Sequence, residues 1–98
     1  MPKDADAQFY ERADAHIHLS NDQLKDVQKG EVSASLMYAA ARFNAWFSAG
    51  SFPYGEEMAK SRDDIIKYFV EQYRLALIEN IDDYIANFDS YMGVKKNS

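Results

Sequence analysis

The sequence predicts an all-α protein, an antiparallel up-down-up bundle of three helices, or of four if the long last helix breaks near Asn80. Apolar residues recur with a period near 3.6 in three segments, and nowhere do they alternate with the period of two that marks a half-buried strand. Both prolines, Pro2 and Pro53, fall outside those segments, as they must if the segments are helical. The links at Gly30 to Val32 and Gly50 to Gly55 are short, which favours antiparallel neighbours.

The first segment runs from about Asp6 to Lys29 and stops at Gly30, a residue suited to the left-handed position that follows many helices. At 100° per residue Phe9, Ala13, Ile17, Ser20, Leu24 and Val27 form one stripe with Tyr10 at its edge, while Glu11, Asp14, His18, Asp22 and Lys25 take the opposite side. The apolar stripe is expected to face a core and the charged side to face water.

The second segment begins after Ser33, whose hydroxyl is a suitable cap for first-turn N–H groups, and ends at Gly50. Between Leu36 and Phe47 only Arg42 and Asn44 are strongly polar, so this helix is apolar nearly all round. One face gathers Val32, Leu36, Ala40, Phe43 and Phe47, flanked by Ala39 and Trp46, and is the expected core contribution. The back carries Ala41, Ala45 and Ala49 beside Tyr38 and Ser48, a smooth ridge that lets another helix approach closely.

The third segment spans about Glu56 to Met92 without Gly or Pro, and Ile66, Phe69, Val70, Tyr73, Leu77, Ile81, Tyr84, Phe88 and Tyr91 stay in phase. Unbroken, it would reach ~55 Å against ~36 Å for the first helix at ~1.5 Å per residue. Either the helix overhangs its neighbours or it breaks near Asn80, where Asn80-Ile81-Asp82-Asp83 reads as a cap followed by first-turn acids.

Ninety-eight residues suffice for one core and are too few for two, so a single helical domain over 1–98 is expected, with flexible ends at about 1–5 and 93–98. The 47% hydrophobic content offsets the conformational entropy of folding without a staple. The absence of cysteine excludes disulfides, thiolate metal sites, iron–sulfur ligation and cysteine nucleophiles. No window approaches the ~18 apolar residues of a membrane span, and the first residues lack the pattern of a signal peptide, so a cytoplasmic location with no membrane association is expected. Net charge is −5 and both halves are acidic. That balance repels phosphate backbones, the only adjacent basic pair is Lys95-Lys96 in the tail, and no nucleic-acid partner is expected.

No motif carries chemistry. His16 and His18 lie about 200° apart on a helix and cannot share an ion, and Asp14 with His18 supplies two ligands where a site needs three or four. The acid pairs Glu56-Glu57, Asp63-Asp64 and Asp82-Asp83 cannot converge on one point and sit where helix starts are expected, so they offset the backbone dipole. The four glycines fall at segment ends and form no phosphate loop. The sequence therefore assigns no catalytic residue, no metal ligand and no cofactor.

Phe9-Tyr10-Glu11-Arg12-Ala13-Asp14, Ser33-Ala34-Ser35-Leu36-Met37-Tyr38-Ala39-Ala40-Ala41-Arg42-Phe43-Asn44-Ala45, Tyr68-Phe69-Val70-Glu71-Gln72-Tyr73-Arg74 and Asp82-Asp83-Tyr84-Ile85-Ala86-Asn87-Phe88 resemble a family of short proteobacterial proteins of unknown function. The resemblance spans most of the chain. It implies a bacterial, helical protein and carries across no activity or functional residue.

The functional expectation is a protein–protein interaction module that pairs with a protein partner or forms a homodimer through the second helix. Its candidate partner-binding residues are Tyr38, Ala41, Ala45 and Ala49 on the ridge, with Phe52 and Tyr54 in the aromatic turn around Pro53. The alternative is a monomeric small-ligand-binding protein or an enzyme with an unadvertised site, which requires a concave pocket with convergent polar groups.

Overall fold

The structure is a computed structural model that describes residues 6–94. Five helices follow one another: α1 (Phe9–Gln23), α2 (Lys29–Ala49), α3 (Gly55–Lys60), α4 (Arg62–Ala86) and α5 (Phe88–Met92), with no strand among the described residues. The all-helical expectation holds. The chain divides into two units, Met1–Gly55 and Glu56–Ser98.

In the first unit Asp6, where the helix was expected to begin, precedes α1 by three residues. Its carboxylate accepts the Gln8 N–H at 2.9 Å and its carbonyl accepts the Phe9 N–H at 3.1 Å. The guanidinium of Arg12 reaches back to the same carboxylate at 3.0 Å. This bridge, with the Gln8 N–H, holds the Asp6 carboxyl below its ordinary pKa.

The first helix ends at Gln23, six residues short of the expected Lys29. Ser20, Asn21 and Asp22 bring three short polar side chains that compete with helical hydrogen bonding, and the Ser20 hydroxyl already donates to the His16 carbonyl. Beyond Gln23 the chain tightens. The Leu24 N–H is shared between the Ser20 and Asn21 carbonyls, and Lys25 and Asp26 donate three residues back, to Asp22 and Gln23.

Gln28 is extended (φ −78°, ψ 155°), and α2 begins directly after it. Gly30 is thus a first-turn residue of α2 and not a left-handed terminator, and Ser33 lies inside the helix instead of capping it. Two N–H groups of the first turn, from Glu31 and Val32, donate to the Gln28 carbonyl. The helix closes at Ala49 with Gly50 as its cap, as expected, although Gly50 keeps a right-handed conformation (φ −61°). Ser51 and Phe52 then donate to the Ser48 and Ala49 carbonyls, turning the chain towards Pro53.

The second unit differs from expectation in where the long segment is interrupted. Ser61 separates α3 from α4 and Asn87 separates α4 from α5, while α4 runs unbroken through Asn80. The Asn80 side chain donates to the Ala76 carbonyl at 2.8 Å, four residues back, so it bonds to the helix it was expected to end. Glu56-Glu57 and Asp63-Asp64 do occupy first turns, where carboxylates offset the positive end of the dipole. Asp82-Asp83 does not. It lies near the end of α4, and Asp83 joins α4 to α5: its carboxylate accepts from Asn87 Nδ2 at 2.9 Å and from the Tyr91 hydroxyl at 3.0 Å. The last helix closes on Gly93 in the left-handed region (φ 70°), and the Val94 N–H returns to the Asp89 carbonyl at 2.9 Å. That is the Schellman arrangement, for which only glycine has no steric penalty. Apart from Gly93 and Val94, the ends expected to be flexible lie outside the described residues, as does the Lys95-Lys96 tail.

Among the described residues the side chains expected to form a core are largely exposed. Of Val32, Leu36, Ala40, Phe43 and Phe47 only Val32 is buried, and it is the one buried apolar side chain among the described residues. In α1 the half-buried positions Phe9, Ala13 and Ser20 follow the expected stripe, while Ile17 and Leu24 are exposed. Along α4 the expected apolar face is also open, with Ile66, Val70, Tyr73, Leu77, Ile81 and Tyr84 exposed and Phe69 half-buried. The burial pattern follows the expected stripe in α1 only: in α2 Ser48, expected on the back of the helix, is buried, and in α4 the half-buried positions are Ile65, Phe69 and Gln72, of which Phe69 alone belongs to the expected face.

Candidate functional site

The second helix concentrates the exposed apolar side chains of the first unit. Trp46 is 71% exposed, Tyr38 65%, Phe47 64% and Phe43 63%, with Met37 and Leu36 also open to water. Such residues are normally inside or at an interface. The ring of Phe43 tilts against Trp46 with centroids 5.5 Å apart, so two of the four aromatics form a single protruding pair.

All six sequence-predicted residues lie within the first unit. Tyr38, Ala41, Ala45 and Ala49 are exposed on α2, Tyr54 is exposed in the turn and Phe52 is half-buried there. The three alanines of the ridge are exposed, while Ser48 beside them is buried. Next to the ridge runs a shallow depression lined by Glu31, Ala34, Ser35, Tyr38, Ala39 and Arg42, all on the same helix. Tyr38 belongs to both features. The Arg42 guanidinium stacks over the Tyr38 ring at 5.0 Å from its centroid, a cation–π contact that fixes both side chains along the helix surface.

Glu31 and Arg42 did not stand out in the sequence, where each reads as one charge on a helix face. The available signal was their opposite sign at a separation of eleven residues, which is three turns and therefore one face. Asp83 and Tyr91 escaped for a similar reason. The two are eight residues apart, but the offset at Asn87 brings the hydroxyl back to the carboxylate.

Nothing in the described residues assembles reactive groups. His16 and His18 are both exposed, and no group of three or more His, Asp or Glu side chains gathers to hold a metal ion among the described residues. The shifted titrations belong to helix-surface pairs. A hydrogen bond from Arg74 at 3.0 Å holds Glu71 below the ordinary carboxylate value, and the hydrogen bond to Asp83 holds the Tyr91 phenol above its ordinary value. A second depression, at the α4–α5 junction, is lined by Ile85, Ala86, Asn87, Phe88, Asp89 and Ser90 and contains a single carboxylate. It offers no acid–base pair. No described helix is long and apolar enough to cross a membrane.

A structure of similar architecture is the NMR structure of the protein NB7890A from Shewanella sp., with a TM-score of 0.78 and 41% sequence identity over 96% of this chain and 100% of that one. No curated protein matches the chain. The model of the family described as "Protein of unknown function (DUF3144)" matches residues 9–85, from the start of α1 almost to the end of α4, and the chain belongs to that family.

Proposed function

We propose that the chain is a cytoplasmic bacterial protein–protein interaction module that associates with itself through α2, using Tyr38, Ala41, Ala45 and Ala49 with Phe52 and Tyr54 at the margin. The observation that carries this reading is the exposure of Tyr38, Ala41, Ala45 and Ala49 along one face of α2. The helical bundle expected from the sequence is, on this reading, completed between copies. The net charge of −5 keeps such a surface from aggregating without direction.

Sedimentation velocity over a hundredfold range of protein concentration tests this. The wild-type chain, 11.2 kDa, is expected to reach twice that mass, and Ala45→Glu, which sets a carboxylate on the ridge, is expected to remain at the monomer mass with unchanged helical circular dichroism. A wild-type mass that stays at 11.2 kDa throughout, or an Ala45→Glu chain that dimerises normally, would refute it.

A further inference from the structure

Glu31 and Arg42 close the two ends of the depression on α2, separated by about 16 Å along the axis at ~1.5 Å per residue. Neither forms an ion pair among the described residues, and Arg42 is held on the Tyr38 ring. Between the two charges the lining residues are Ala34, Ser35, Tyr38 and Ala39, three of them small enough to let a second helix come near.

Resting on the self-association reading and adding its geometry, we propose that this stripe docks antiparallel on the same stripe of a second copy, with the twofold axis level with Leu36 and Met37. Reversing the stripe against itself shows why the occupant is a second copy. Glu31 meets the partner's Arg42, Ala34 meets the partner's Ala39 and Ser35 meets the partner's Tyr38, and each contact occurs twice by symmetry. Opposite charges face one another at both rims, alanine faces alanine where the helix axes approach to ~8 Å, and the one large side chain faces one of the small ones. A parallel arrangement sets Glu31 against Glu31 and Arg42 against Arg42, so the charges also select the direction. Arg42 keeps its place over Tyr38 while its outer N–H groups reach the new carboxylate.

The experiment uses the full chain and two charge reversals, Glu31→Arg and Arg42→Glu, with association read by sedimentation and helix content by circular dichroism. Alone, each variant places like charges at both rims and is expected to associate at least tenfold more weakly than the wild type. Mixed in equal amounts they are expected to form a heterodimer of near wild-type affinity, because all rim contacts then pair Arg with Glu. The double variant is expected to recover homodimers. Should one reversal fail to fold, Glu31→Gln and Arg42→Gln provide the same comparison, each weakening association by a smaller factor and each recovering part of it on mixing, because the mixed dimer keeps one of the two Glu31–Arg42 contacts. Single variants that associate like the wild type, or a mixture that associates no better than its parts, would overturn the proposed register. If the wild type dimerises and Ala45→Glu abolishes this while the charge reversals are silent, the register falls and self-association stands. A wild type that never dimerises removes both.

Discussion

Replacing Tyr38 by Ala separates a side chain that holds the chain together from one that holds two chains together. In the chain itself Tyr38 is 65% exposed and its ring supports only Arg42, at 5.0 Å. Truncation therefore removes an exposed cation–π contact of ~0.5–1 kcal/mol, and alanine's higher helix propensity returns ~0.5 kcal/mol. The folded monomer should change by less than ~0.5 kcal/mol, as exposed positions usually do. Across an interface the arithmetic differs. Of ~200 Å² of side chain about 130 Å² faces water, and burying it at ~25 cal/mol per Å² gives roughly 3 kcal/mol as an upper bound. Taking ~2 kcal/mol per copy and two copies, the dissociation constant should rise by about a thousandfold. Sedimentation equilibrium measures this directly, and thermal melts at several concentrations show whether the midpoint depends on association. Tyr38→Phe, which keeps the ring and its stacking, should retain most of the affinity. A Tyr38→Ala chain that dimerises with wild-type affinity and melts well below the wild type at every concentration would refute the reasoning, because the ring would then belong to the monomer's own core.

Further expectations concern the second unit. Asn80→Ala should raise stability by ~0.5 kcal/mol, since alanine is the better helix former where the helix is continuous; a loss on chemical denaturation would restore the break at Asn80. Gly93→Ala should cost ~1 kcal/mol locally by placing a Cβ on a residue at φ 70°, seen as faster amide exchange at Val94 with exchange in mid-α4 unchanged. Tyr91 should titrate above the ordinary phenol range, because its proton is held by Asp83. The folded chain keeps that proton where the unfolded chain loses it, so the contribution to stability is full below pH ~10 and declines as pH rises through the phenol range. Tyrosine absorbance titration should show one fewer high-titrating group in Tyr91→Phe, and an unchanged titration curve would show that the hydrogen bond is not maintained in solution.

The helical character of the chain and a few helix ends were readable from the sequence because each depends on neighbours within a few residues, whereas the end of α1, the start of α2 and the breaks at Ser61 and Asn87 were not. Gly50 after α2, Gly93 after α5 and the acids that open α3 and α4 stand where periodicity and dipole arguments put them. The misplaced boundaries turn on competition between local preferences. Gly30 suits both a helix end and a tolerated first turn, and the extended Gln28 decides for the second. Asn80 suits both a cap and a bond to the preceding turn, and with no Gly or Pro nearby the helix continues. The site was half readable. The alanine ridge follows from spacing alone, whereas Glu31 and Arg42 acquire meaning only when placed on one face with the aromatic stack between them. Phe43 and Phe47 show the larger limit: their pattern demanded burial, and burial by a second molecule leaves the same pattern as burial by the chain's own helices.

Isotope-filtered NOE spectroscopy on an equimolar mixture of labelled and unlabelled wild-type chains tests most directly whether α2 is covered by its own copy. Cross-peaks between the Tyr38 ring of one chain and the Ser35 and Ala39 protons of the other are expected, together with contacts from Ala34 to Ala39. A dimer whose intermolecular cross-peaks avoid α2, or a mixture with none at millimolar concentration, would contradict it.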